Sequence, residues 1–193
     1  MLSKLLKDIR ACQICEAHLP LGPRPILSAS EKSRILIIGQ APGRKVHQSG
    51  IPWNDPSGEK LREWLKMDRD MFYDTSINAI IPMGFCYPGK GKSGDLPPRS
   101  ECAPEWHHKL LEKLGNIEIT LLIGKYAIGH YMPQFASTSL QSTIKNFDID
   151  KAKMIPLVHP SPRNRMWLRN NMWFENEYIP ALQNVIHKKI LRN

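Results

Sequence analysis

The chain has 193 residues, of which 41% are hydrophobic, and a formal net charge of +9. It is long enough to bury one substantial core, and no change of composition marks a second domain, so we expect a single domain over residues 1–193. Charges interrupt the short apolar stretches of the first twenty residues, which excludes a signal peptide or membrane span there and predicts a cytoplasmic protein. A positive charge of this size is typical of proteins that bind nucleic acid, although solubility alone also explains it.

The predicted elements alternate between helices and strands. In chain order they are a helix at 2–9, a strand at 34–39, a helix at 56–66, a strand at 76–83, a helix at 106–114, a strand at 117–124, a helix at 126–132, a strand at 153–158 and a helix at 174–187. The strands are apolar runs of the kind that a parallel sheet buries on both faces. Pro82 and Pro156 predict that the second and fourth strands end early or bulge, and Pro180 is a candidate kink in the last helix. The alternation predicts an α/β fold with three layers (α/β/α) around a central, mostly parallel four-stranded sheet.

Two motifs follow the first and last predicted strands. Gly39-Gln-Ala-Pro-Gly43 comes after the first, where an open α/β sheet exposes its ligand-binding edge. His159-Pro-Ser-Pro-Arg-Asn164 comes after the last. Taken singly, the first also fits a tight turn and the second a structural histidine. Their order and placement together favour a shared site.

These motifs resemble the Gly-x-x-Pro and His-Pro-Ser-type elements of the uracil-DNA glycosylase superfamily. The iron–sulfur (family 4-like) class has Gly-Glu-Ala-Pro-Gly, which differs from this chain only at Gln40. The resemblance extends over residues 12–173. It implies a uracil-DNA glycosylase-like domain that hydrolyses the N-glycosidic bond of uracil or another deaminated base in DNA, as in base-excision repair. The alternative is a catalytically weak or inactive DNA-binding relative that retains the fold and the metal cluster.

The resemblance also assigns the base pocket. His159 matches the histidine that hydrogen-bonds the base, where it stabilises negative charge on a carbonyl oxygen. Trp53 matches the phenylalanine that stacks on the extruded base, although a tryptophan in the core is the alternative. The turn after the first strand completes the predicted base-binding set with Gly39, Gln40, Ala41, Pro42 and Gly43.

Three departures from the family pattern concern catalysis and base recognition. Val46 and His47 stand where the iron–sulfur class has acidic residues, and Ala41 stands where the best-known class has its catalytic aspartate. Asp55 or His47 is therefore the candidate general base, while Asp55 serves equally well as a helix cap.

The third departure is the asparagine that reads the pyrimidine edge. Its position is Pro82 in this chain, and Asn78 on the same predicted strand is the substitute, which requires a shift of register. Recognition of a base other than uracil remains open for this reason.

The segment after the histidine motif interleaves arginines with tryptophan and methionine, which suits phosphate contacts and an apolar wedge in the base stack. The predicted DNA-binding residues are Ser161, Arg163, Arg165, Met166, Trp167 and Arg169. Met166 or Trp167 is the candidate wedge, and packing of Trp167 and Trp173 in the core is the alternative. Lys90, Lys92 and Arg99 add phosphate contacts or form a solvated basic loop. We expect a monomer that binds single- or double-stranded DNA and no membrane.

The chain has four cysteines, spaced as Cys12-x-x-Cys15, Cys86 and Cys102. In a cytoplasmic protein this number suggests a metal before disulfides. The spacing resembles that of the iron–sulfur glycosylases, in which four such cysteines hold a 4Fe-4S cluster beside the DNA-binding face. A structural zinc ion is the alternative, and Cys86 and Cys102 also fit buried core thiols.

Overall fold

The computed structural model describes residues 1–135 and 137–191, and within them four strands form a parallel sheet in the order β2-β1-β5-β6. The strands are β1 (Ile35–Ile38), β2 (Asn78–Ile80), β3 (Lys90–Gly91), β4 (Gly94–Asp95), β5 (Ile119–Ile123) and β6 (Met154–Leu157). β3 and β4 form a separate antiparallel hairpin inside the long loop 84–103. Each of the four strands in the main sheet lies within a stretch that the sequence predicts as a strand.

The two strand prolines behave differently. β2 ends at Ile80, before Pro82, as predicted. β6 instead runs through Pro156, which lies opposite Leu122 in continuous register with β5. The predicted early end or bulge there is wrong, because β6 is an edge strand and a missing amide donor is tolerated on its free side.

Helices cover both faces of the sheet. They are α1 (Leu2–Arg10), α2 (Arg44–Ser49), α3 (Pro56–Leu65), α4 (Arg69–Tyr73), α5 (Cys102–Leu111), α6 (Lys125–Tyr131), α7 (Leu140–Lys145), α8 (Arg165–Asn170) and α9 (Ile179–Ile186). π-Helical turns at Phe174–Tyr178 and His187–Leu191 flank α9, so Pro180 falls where the helical geometry changes. The predicted helices are confirmed, and α5 begins four residues earlier than expected. α2, α4, α7 and α8 were not predicted, because each is six residues or shorter.

The core has two layers, one on each side of the sheet. Side chains alternate along β1, so Ile35 and Ile37 pack against α3 and α9 while Leu36 and Ile38 pack against α1, α5 and α6. The three-layer α/β/α fold is therefore confirmed. Within the described residues, no helix combines the length and the apolar character needed to cross a lipid bilayer.

The parallel sheet determines where the motifs lie. Because the strands run in one direction, their carboxyl ends meet at one edge. β1 leads into residues 39–43, which we call the glycine turn, and β6 leads into residues 159–164, which we call the histidine loop. Both therefore emerge at the same edge of the sheet.

Candidate functional site

A cleft of about 830 Å³ opens at the carboxyl edge of the sheet. The glycine turn contributes Gly39, Gln40, Ala41, Pro42 and Gly43 to its wall, and the histidine loop contributes His159, Ser161, Arg163 and Asn164. The two motifs thus face one shared cavity, in the position where open α/β sheets bind ligands.

His159 presents a neutral imidazole to the cleft. Burial lowers its pKa from 6.5 to about 4, so the ring carries no charge at neutral pH. Among the described residues, its buried Nδ1 has no hydrogen-bond partner. The Asn164 side-chain amide donates to the His159 main-chain oxygen at 2.7 Å, which fixes the histidine loop. The other ring nitrogen, Nε2, is free to donate once Nδ1 is the unprotonated atom.

Trp53 lies beside His159 and over Gly39. The Trp53 and His159 ring centroids are 5.4 Å apart, with planes at 32°. A Cβ on Gly39 would lie 2.7 Å from the indole Cζ2 atom, so only glycine at that position leaves room for the ring. Trp53 also has a φ of 55°, which is unusual for a bulky residue and is typical of functional sites. The Trp53 side chain lines the cleft and also packs against the core. Its position is therefore compatible both with stacking on a base and with a role in the core.

Asp55 likewise has two roles. Its Oδ1 atom accepts a hydrogen bond from the Gly58 backbone N–H at 2.9 Å, which caps α3. Its carboxylate also lines the cleft. Burial raises its pKa, and the hydrogen bond from Gly58 opposes that change.

With this geometry in place, the comparison with protein families is decisive: the family model of the uracil-DNA glycosylase superfamily matches residues 27–183. The chain belongs to this superfamily. The match includes the glycine turn, Trp53 and the histidine loop, and therefore supports a DNA glycosylase-like function and binding to DNA. It begins after Cys12 and Cys15, so it identifies the superfamily and not the iron–sulfur class within it.

Two predicted site residues of this glycosylase-superfamily member lie away from the cleft. His47 is on α2, with its ring against Tyr87 at 6.1 Å, and burial together with the Arg24 charge lowers its pKa. Asn78 lies at the amino end of β2, where its amide donates to the Met71 and Phe72 carbonyls at 2.9 and 3.2 Å. Neither side chain is among those that line the cleft: His47 packs against Tyr87, and Asn78 lies at the amino end of β2, away from the carboxyl ends of the strands.

The predicted DNA-binding residues divide into two groups. Ser161, Arg163 and Trp167 line the cleft. Arg165, Met166 and Arg169 project from α8 into solvent, and Met166 is 64% exposed. Trp167 packs against Trp173 and Phe174, with ring centroids 6.1 and 5.6 Å apart, so its indole belongs largely to the core. Of the two candidate wedges, Met166 is thus the exposed one.

The basic residues of loop 84–103 also differ from one another. Lys90 and Lys92 are exposed on and beside the β3–β4 hairpin. Arg99 is paired with Glu101, with Nη2 and Oε1 2.5 Å apart. The two lysines are the residues of this predicted set whose charges have no ion-pair partner among the described residues.

Asp95 on β4 lines the cleft and was not among the site residues predicted from the sequence. The signal that would have revealed it is Gly91-Lys-Ser-Gly94, a Gly-x-x-Gly spacing typical of a tight hairpin inside a long loop. Gly94 has a φ of 113°, which side-chain-bearing residues rarely adopt.

The four cysteines border one small cavity, together with Phe85 and Arg99. We call this group of cysteines (Cys12, Cys15, Cys86 and Cys102) the cysteine corner. All four are free thiols, and the Phe85 backbone N–H donates to the Cys102 sulfur at 3.3 Å. Across residues 1–135 and 137–191, however, no group of three or more His, Cys, Asp or Glu side chains is arranged to hold a metal ion. The structure thus brings the predicted ligands together without forming a closed ion site.

Proposed function

We propose that the protein is a DNA glycosylase that removes uracil or another deaminated base by hydrolysing its N-glycosidic bond. The observation that carries this proposal is the neutral imidazole of His159 facing the glycine turn across one cleft. A base extruded from DNA would contact both at once.

His159 would act as the electrophile. As the bond to the sugar breaks, negative charge grows on a carbonyl oxygen of the departing base, and a fixed N–H donor at that oxygen stabilises it. Removal of one such donor typically slows a reaction by 10²- to 10³-fold. Because the pKa of His159 is lowered to about 4, the ring donates as a neutral group throughout the neutral range.

Trp53 and the glycine turn would hold the base. An aromatic face next to the histidine offers the stacking surface that flipped bases commonly use. The backbone amides of the glycine turn, Pro42 excepted, add donors that need no side chain. The base itself remains open, because Asn78 does not reach the cleft.

The surface of α8 would bind the duplex. Met166 is exposed beside the cleft-lining Trp167, which suits an apolar side chain that fills the space left by an extruded base. Arg165 and Arg169 flank it on the same short helix and would contact phosphates.

We also propose that the cysteine corner holds a 4Fe-4S cluster, as in the class that the sequence resembles. Four thiols around one cavity and an N–H···S hydrogen bond to Cys102 support this. The cluster would tie the segment after α1 to loop 84–103. Visible absorption and iron content of anaerobically purified protein test it, and a colourless preparation with stoichiometric zinc would refute it.

The function is tested by base excision. Single-stranded and duplex oligonucleotides that contain uracil, hypoxanthine or xanthine are incubated with the protein and then treated with alkali. We expect strand breaks with at least one of these bases, their loss in His159→Ala, and their retention in His187→Ala, which changes an exposed histidine outside the cleft. Tight binding to every substrate without cleavage would instead identify the catalytically inactive relative.

A further inference from the structure

The β3–β4 hairpin brings a second carboxylate to the glycine turn. The Asp95 Oδ2 atom lies 3.3 Å from the point that a Cβ on Gly43 would occupy, and the Asp55 Oδ2 atom lies 3.9 Å from the same point. Two carboxylates from separate loops therefore converge on Gly43 at the wall of the cleft.

Both motifs of the cleft bind this hairpin. The Arg163 guanidinium donates to the Ser93 carbonyl at 2.8 Å and packs so closely on Gly94 that a Cβ there would collide with it. From the other side, the Gln40 amide donates to the Leu96 carbonyl at 3.4 Å. Arg163 and Gln40 thus hold the hairpin between the histidine loop and the glycine turn.

The hydrogen bond that Gln40 donates gives a physical reason for glutamine where the iron–sulfur class has glutamate. A glutamate at this position has no N–H and cannot donate to the Leu96 carbonyl, whereas the amide of glutamine can. Directly after the turn, residues 44–49 form α2, and of its residues only Val46 lines the cleft. α2 itself carries no acidic residue, so the carboxylate beside the glycine turn comes from Asp95 of the hairpin.

We propose that Asp95 is the catalytic carboxylate that orients and deprotonates the attacking water, an inference that rests on the proposed glycosylase function. The C1′–N bond breaks and its electron pair leaves with the base. The water oxygen bonds to C1′, and the water proton passes to the Asp95 carboxylate. The products are an abasic sugar and the free base, which takes up a proton from solvent.

The geometry favours Asp95 over Asp55 for this step. One oxygen of Asp55 already accepts the capping hydrogen bond from Gly58, which holds that carboxylate to α3. Asp95 is exposed to solvent and lines the cleft, so water can reach its carboxylate, and the Tyr87 hydroxyl is a hydrogen-bonding neighbour of that carboxylate. A general base must lie within hydrogen-bonding distance of the water from which it takes the proton.

The test is single-turnover excision by Asp95→Asn, Asp55→Asn and Asp8→Asn, on whichever of the three deaminated bases the wild type removes. We expect Asp95→Asn to lower the rate by about 10²-fold or more, while fluorescence anisotropy shows unchanged or tighter binding to the oligonucleotide. Asp55→Asn should have a smaller effect because asparagine also caps helices. Asp8→Asn removes an exposed charge on α1 and should match the wild type.

The outcomes separate this inference from the function on which it rests. A wild-type protein that excises none of the bases overturns both. An active wild type together with a fully active Asp95→Asn overturns only the role of Asp95, as does loss of activity confined to Asp55→Asn. Thermal melting of each variant shows whether it is folded. The Asp95→Glu variant keeps the carboxylate, and partial activity in Asp95→Glu with none in Asp95→Asn supports the proposal.

Discussion

The cleft and the cysteine corner are built by different kinds of structure. The two sides of the cleft follow β1 and β6, and the hydrogen-bonded sheet fixes them before any ligand binds. The cysteine corner joins the segment after α1 to loop 84–103 and the start of α5. Hydrogen bonds between strands hold a site at the edge of a sheet without a ligand. A site between loops lacks those bonds, and a bound ligand can supply the missing constraint.

The charge states of the two regions show the same contrast. The cleft keeps His159 neutral, which is the state its proposed role requires. In the cysteine corner, burial raises the pKa of Cys86 to about 11 and that of Cys102 to about 12. Those thiols are protonated at neutral pH, and the proposed cluster would have to displace their protons. His159 therefore already has the charge state that its proposed role requires, whereas the two thiols would have to lose their protons to bind the proposed cluster.

The largest effect should come from breaking the cysteine corner. Cys102→Ser removes one ligand of the proposed cluster, and we expect the free energy of unfolding to fall by more than about 4 kcal/mol, in the range seen when a metal is lost. For a domain of this size the melting temperature should fall by more than about 10 °C. Chelation of iron from the wild type should produce the same loss. Equal melting temperatures for the variant and the untreated wild type would show that the cysteine corner does not depend on a bound cluster for its stability.

Acid should weaken the fold through histidines held neutral. The pKa of His159 is lowered from 6.5 to about 4 by burial, so the unfolded chain binds a proton that the folded chain does not. This group's contribution is intact above pH 6.5 and is lost as the pH falls toward 4, at most about 3 kcal/mol. Urea unfolding from pH 7 to pH 4.5 measures it, and His159→Asn should flatten the curve.

His107 should act in the same pH window from outside the cleft. Burial lowers its pKa to about 4, and its Nε2 donates to the Pro82 carbonyl at 3.0 Å. The pH dependence of the free energy of unfolding that remains in His159→Asn should therefore come largely from His107. A curve for His159→Asn that is identical to the wild-type curve would show that His159 is not held neutral.

Filling the space under Trp53 should disturb the cleft and lower the stability of the fold. Gly39→Ala places a Cβ 2.7 Å from the indole ring, and overpacking of this kind costs about 1–3 kcal/mol. We expect slower base excision together with this loss in urea unfolding. Gly115→Ala is the matched control, because a Cβ there meets nothing within 4 Å. Equal stability of the two variants would argue against close contact between Trp53 and Gly39.

The smallest effect separates the two roles of Asp55. Asp55→Ala and Asp68→Ala each remove an N-cap, of α3 and α4 respectively, and each should cost about 1 kcal/mol in chemical denaturation. Only Asp55 lines the cleft, so base excision should change only in Asp55→Ala. Unchanged excision in both variants would leave Asp55 with the capping role alone.

The sequence was informative where local pattern and motif order carry the information. Four apolar runs gave the strands of the sheet, and the order of the two motifs gave the cleft, because residues at the carboxyl ends of parallel strands must meet. Sequence patterns did not predict in which direction a side chain points. Only His47 is close to a motif in the chain, and neither its side chain nor that of Asn78, at the amino end of β2, lines the cleft.

By itself, the sequence determined the layered fold, the two motifs and the set of cysteines, because these depend on periodicity and spacing along the chain. Tertiary structure alone decided that Asp95 faces Gly43, that Arg163 holds a hairpin, and that the four thiols border one cavity without forming a closed ion site. Those contacts join residues far apart in the chain through loops whose paths have no repeating pattern. Only the packing of the whole molecule fixes such paths.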